Sequence, residues 1–161
     1  MILFYSGGMM EHRFEITLGE ALPFDPDQPH SSCPMWLTLN DRCYPNQGWW
    51  DNPGIVLGWW ANALLTLHGS KSATFVFMEG PYCLRLEKKE HGIEVTPEDW
   101  AEGILVSWKD LVREISEKAR FFAPFFEAKP QLQKVGTGLR EAVDTLEALP
   151  DLKLGTKKTK P

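Results

Sequence analysis

Residues 52–68 read NPGIVLGWWANALLTLH, and the fold follows from how this stretch is interpreted. Asparagine accepts a hydrogen bond from an unpaired amide at a helix start, and proline lacks only an amide that the first turn leaves free. Asn52 followed by Pro53 therefore predicts a helix over 53–68. Val56, Trp60, Ala63, Leu64 and Leu67 share one stripe, while Ile55, Leu57, Trp59 and Leu65 leave little polar surface beyond Asn62 and Thr66. A helix that is apolar nearly all round is expected at the centre of its domain. Both Trp59 and Trp60 are expected in that core, and Gly69 is expected to supply the left-handed residue that ends the helix.

Strands are expected on both sides of it. Residues 11–18 alternate His12, Phe14, Ile16 and Leu18 with Arg13, Glu15 and Thr17, the pattern of a half-buried strand. Prolines 23, 26, 29 and 34 make residues 23–34 a loop, 35–39 reads as a short strand, and 40–50 as a turn-rich connection. Beyond the helix, 73–78, 82–88 and 93–95 form an antiparallel meander. In its middle strand Tyr82, Leu84 and Leu86 alternate with Cys83, Arg85 and Glu87, so one face meets the helix and the other meets water.

Thr96, Pro97, Glu98 and Asp99 read as a capping hydroxyl, a first-turn proline and acids at the positive end of a second helix. That helix would carry Trp100, Ile104, Trp108, Leu111, Ile115 and Phe122, with Trp100 and Trp108 in the core and Pro124 as its end. A third helix is expected at about 138–149. The fold class is thus α+β: an antiparallel sheet of about five strands packed against a central tryptophan-rich helix, with C-terminal helices. Residues 1–150 are expected to form a single domain and 151–161 a lysine-rich tail, while 1–8 read as an added or misassigned start.

Composition narrows the function. With 43% hydrophobic and 24% charged residues in 161, wholesale disorder and fibrous repeats are excluded. No apolar run approaches the roughly 18 residues of a membrane helix, and Cys33, Cys43 and Cys83 suit reduced thiols, so a cytoplasmic protein is expected. There are 17 Lys and Arg against 22 Asp and Glu, but Lys153, Lys157, Lys158 and Lys160 lie among the last nine residues. Residues 1–152 therefore carry 13 basic and 22 acidic groups, a net −9. An acidic body repels phosphate backbones, which disfavours nucleic acid, and either steers a basic partner or simply keeps the protein in solution.

No recognisable catalytic motif is present. His30, Cys33, Cys43, Cys83 and His91 lack the close ligand spacing of a metal site, and Gly54 and Gly58 match neither a dinucleotide fingerprint nor a phosphate loop, so no metal or cofactor is expected. Paired acids such as Asp25 with Asp27, or Glu98 with Asp99, are accounted for by loop and cap positions. His68 fits the negative end of a helix. An enzyme remains open only if groups converge in three dimensions, for instance Cys33, His30 and Asp41 in a small hydrolase or transferase.

The binding reading is more specific. Trp49 and Trp50 precede Asp51, where an aromatic beside an acid can hold a cationic side chain, or where an apolar residue can staple the helix start. The candidate partner-binding residues are Asp25, Asp27, Asp41, Trp49, Trp50, Asp51, Glu79 and Tyr82, facing a basic protein surface. Phe121, Phe122, Phe125 and Phe126 form an aromatic knot that must pack or associate, so a homodimer through it is a further expectation.

Two runs carry a resemblance: GWWDNPGIVLGWWANALLTL at 48–67 and TFVFMEGPYCLRL at 74–86. They resemble small bacterial domains, some of which are similar to immunity proteins of polymorphic toxin systems. The resemblance implies a small, acidic, non-enzymatic cytoplasmic protein that neutralises a toxin by binding it, and it brings no catalytic residues with it.

Overall fold

In the computed structural model, residues 12–20, 24–28, 31–152 and 154 are described. Glu11, Pro23, Pro29, His30, residues 1–8 and the lysines of the tail lie outside them. The central helix is α1, Pro53–Gly69. Asn52 Oδ1 accepts from Ile55 N–H at 3.1 Å, and Val56, Leu57, Trp60, Ala61, Leu64 and Leu67 are fully buried. The narrow solvent side runs through Trp59, Asn62 and Thr66 at helical spacing, which leaves Trp59 44% exposed instead of in the core. Gly69 does not take a left-handed backbone. Ser70 ends the helix instead, its N–H donating to Leu67 O and its hydroxyl to Thr66 O.

Two four-stranded antiparallel sheets replace the expected sheet of about five strands. The first contains β1 (Phe14–Leu18), β2 (Cys33–Leu39), β3 (Arg42–Tyr44) and β4 (Trp50–Asp51), with β1, β3 and β4 all paired to β2. Its extra strands come from residues that read as connections. Pro34 is tolerated inside β2 because only its carbonyl is needed, and this accepts from Gly19 N–H at 3.0 Å. Asn40 turns the β2–β3 hairpin at φ 57°, a conformation that asparagine adopts more readily than most residues.

The second sheet is the meander β5 (Ser72–Val76), β6 (Cys83–Lys89), β7 (Gly92–Pro97) and β8 (Ile104–Val106). Here the expected second helix start is overturned. Ile93, Val95 and Pro97 continue inward while Glu94 and Thr96 stay partly exposed, so Thr96 and Pro97 belong to β7. The chain then reverses at Gly103, where a Cβ would lie 2.5 Å from Val95 O, and returns as β8. Helix α2, Trp108–Glu127, starts only after Ser107, whose hydroxyl accepts from Asp110 N–H at 3.0 Å. Trp100 and Ile104 therefore lie off this helix, and exposed Pro124 sits inside it instead of ending it. After a 3-10 turn at Pro130–Leu132, α3 runs from Gln133–Glu147, beginning earlier than expected.

The three helices pack on one another. α1 also covers β5, and α2 covers β1. Trp60 stacks on Phe75 at 5.1 Å and donates its indole N–H to Val76 O. Glu114 on α2 accepts the outward N–H of Ile16 at 2.9 Å, which blunts the free edge of β1. Phe24 packs edge-on against Phe122 and Phe125 and tilted against Phe126, so the aromatic knot is closed largely within the chain, and Phe121 is left 43% exposed. Among the described residues, no helix is long and apolar enough to cross a membrane.

Candidate partner-binding site

Asp51 is fully buried. A carboxylate withdrawn from water costs several kcal/mol unless donors replace its hydration. Three do so here: Trp49 Nε1 at 3.0 Å and Glu79 N–H at 3.3 Å donate to Oδ2, and Asn52 N–H donates to Oδ1 at 2.8 Å. Because Asp51 lies just ahead of α1, the positive end of the helix also favours its charge. One side chain thereby joins β4, the start of α1 and the tip of the β5–β6 hairpin. Phe77 N–H donates to Tyr82 O across that hairpin, and Gly80 closes against the Trp49 ring.

The hairpin and β4 bring a row of rings together. Trp49 meets Tyr82 at 5.1 Å, Tyr82 meets Tyr44 at 5.9 Å, and Tyr44 meets Trp100 at 6.2 Å, each close to perpendicular. Edge-to-face contacts of this kind suit the ring quadrupole. The Arg42 guanidinium lies 3.7 Å over the Trp100 ring. Tyr44 is the buried member of the row and ties the two sheets together, its hydroxyl donating to Cys83 O at 3.0 Å and accepting from Cys83 N–H at 3.2 Å. Burial, then the charge of Asp99 and more weakly those of Cys83 and Glu98, push the Tyr44 phenol up to about 12, against a lowering by its bond to the Cys83 backbone.

Glu79, Glu98 and Asp99 are exposed around this row, and among the described residues none of them has an ion-pair partner. Adjoining it, the outward face of β5, β6 and β7 forms a groove of about 680 Å³ whose lining includes Thr74, Cys83, Arg85, Thr96 and Glu98.

The residues singled out in the sequence separate into groups. Trp49, Asp51, Glu79 and Tyr82 come together. Asp51, however, has its oxygens committed internally, so it positions the cluster and does not face a partner. Trp50 alternates with Trp49 and Asp51, is 53% exposed, and points to the other face of its sheet. Asp25 and Asp27 lie elsewhere, beside the end of α2, where Asp27 pairs with Lys129. Asp41 occupies the β2–β3 turn, next to Arg42 and so at the Trp100 end of the row. Tyr44, Trp100, Glu98 and Asp99 were not singled out as binding residues. The alternation of 93–97 was the available signal for the last three, since it carries the strand past the apparent helix cap.

Cys33 and Asp41 are not brought together. Cys33 begins β2 while Asp41 lies beyond its other end, and His30 is outside the described residues. Burial, and then the Asp51 charge, push the Cys33 thiol up to about 12. Cys83 donates to Glu98 Oε2 at 3.2 Å, and burial followed by that bond raises its pKa as well. Thiolate, the reactive form, is thus suppressed at both positions. Among the described residues, no three His, Cys, Asp or Glu side chains group as metal ligands.

Compared with protein-family models, with curated proteins and with solved structures, the chain matches none.

Proposed function

We propose that the chain is a protein-binding module whose docking surface is the aromatic row at the junction of its two sheets. One observation carries this reading: Trp49 is fixed by a hydrogen bond to a buried carboxylate and packs edge-on against Tyr82, while among the described residues Glu79, Glu98 and Asp99 have no ion-pair partner. Rigid aromatic side chains are the commonest anchors of interfaces, and fixing them in advance removes part of the ordering cost of association. Unpaired carboxylates around such anchors favour a basic partner and accelerate encounter with it. The more specific form of the reading is an immunity protein that neutralises a bacterial toxin by covering it. It follows from the resemblance of 48–67 and 74–86 and from the acidic body.

The gene beside its own is expected to encode a secreted toxin, and co-production with that product, followed by binding measurements on the purified pair, tests the reading. Growth is expected to be restored. Tyr82→Ala should weaken the complex at least tenfold, and the association rate should fall steeply with added salt. Phe121→Ala, away from the row, should leave binding unchanged. A complex indifferent to Tyr82→Ala and to ionic strength would overturn the proposal.

A further inference from the structure

The geometry points to the groove on the outer face of the second sheet as the seat of an extended partner segment bearing arginine or lysine, with its cation lodged at the Glu98 end. The inference rests on the binding-module reading above and gives that partner its chemistry. The second sheet buries Phe75, Leu84, Leu86, Ile93 and Val95 on one side. Its other side has no covering element among the described residues and forms the 680 Å³ groove. From Cys83 to Glu87 the groove follows β6 for about 13 Å at strand rise, so an extended segment of similar length can lie along it.

Charge along the groove is graded. At one end Glu87 pairs with Arg85 and Lys89, and Lys89 also reaches Glu94. At the other, Glu98 accepts the Cys83 thiol and has no ion-pair partner among the described residues. A cation arriving there meets the Glu98 carboxylate, which no cation among the described residues holds. An acidic segment would be repelled, and an apolar one would strip water from carboxylates and hydroxyls without replacing it. Along the groove, the Thr74 and Thr96 hydroxyls are available to the carbonyls of an extended backbone.

The probe is an end-blocked hexapeptide of alternating threonine and arginine, titrated into the full chain at low salt and followed by amide chemical shifts. Shifts are expected at Tyr82, Cys83, Arg85 and Thr96. Glu98→Gln should weaken binding at least tenfold, and Thr74→Arg, at an exposed strand position, should abolish it by filling the groove with like charge. Glu141→Gln, which removes a charge from exposed α3, should change affinity by less than twofold. Shifts scattered over α3, equal weakening by Glu141→Gln, or no binding at millimolar peptide would overturn the inference. So would shifts that appear only after residues 155–161 are removed, since the chain's own lysines would then be the occupant. A toxin complex that is lost with Tyr82→Ala but untouched by Thr74→Arg and Glu98→Gln would sink the groove alone and leave the binding module standing.

Discussion

Trp49 Nε1 donates to Asp51 Oδ2 over 3.0 Å, so an indole that helps form the candidate docking surface is oriented by a carboxylate that never reaches it. An acid beside two tryptophans looks in sequence like a site for a cation. Folding spends that acid on indole and backbone N–H groups, and the surface charge comes instead from Glu79, Glu98 and Asp99.

Replacing Asp51 should therefore damage the fold more than the surface charge. Asp51→Ala leaves three N–H donors without their acceptor, and Asp51→Asn puts an amide among donors that need lone pairs. A loss of about 2–4 kcal/mol is expected for each, the range for breaking a buried, hydrogen-bonded charge. Urea unfolding measures it, and near-UV circular dichroism should show loosened tryptophans. A loss below about 0.5 kcal/mol for both variants, the scale of an ordinary surface substitution, would remove Asp51 from its central place.

Alkaline stability follows from Tyr44 and Cys33. Both groups are held protonated by the fold, Tyr44 rising from 10 to about 12 and Cys33 from 9 to about 12. The folded state thus binds more protons than the unfolded state in this range, so stability falls as pH rises. The contribution is complete below pH 9 and is lost as pH approaches 12. Urea midpoints taken between pH 8 and 11.5 should decline, and Tyr44→Phe should flatten the upper part of that decline while lowering stability at pH 8. Parallel curves for the two proteins would show that the phenol is not held as described.

The parts of the fold legible in sequence were those decided within a few residues. The Asn52 cap, the buried stripe of α1 and the alternation of β6 need only local spacing, and each stands as read, apart from Tyr82, exposed where the chain enters β6. β3 and β4 are three and two residues long and exist through pairing with β2, which no periodicity can announce. Residues 96–99 satisfied two local rules at once, and strand pairing from Leu84 to Pro97 decided between them. The site was half legible for the same reason. Trp49 and Asp51 are neighbours, but the Glu79 amide that completes the cluster comes from 28 residues away.

Gly54 marks where α1 approaches α2 and α3. A Cβ there would sit 2.7 Å from Phe126 Cζ and 2.8 Å from Val135 Cγ1. Gly54→Ala gains up to about 1 kcal/mol of helix propensity but forces a packed ring aside, at about 1–3 kcal/mol. Net destabilisation is expected by thermal or urea unfolding. Val135→Ala in the same chain should return part of it, giving a coupled cycle. Strict additivity of the two substitutions would mean that the helices approach less closely.

Pro124 offers the opposite sign. It lies inside α2 on an exposed turn, lacks the N–H that would close on Arg120, and sets its ring against that carbonyl. Alanine restores the bond and favours the helix by about 3 kcal/mol, while the freer unfolded chain takes back up to about 1 kcal/mol. Pro124→Ala should therefore raise stability by about 2–3 kcal/mol, less whatever packing its ring gives up beside Phe24 and Phe125. The urea midpoint decides it, with helix content by circular dichroism unchanged or slightly higher. A lower midpoint would mean that the ring's packing beside Phe24 and Phe125 outweighs the helix penalty, and that this proline closes the aromatic knot.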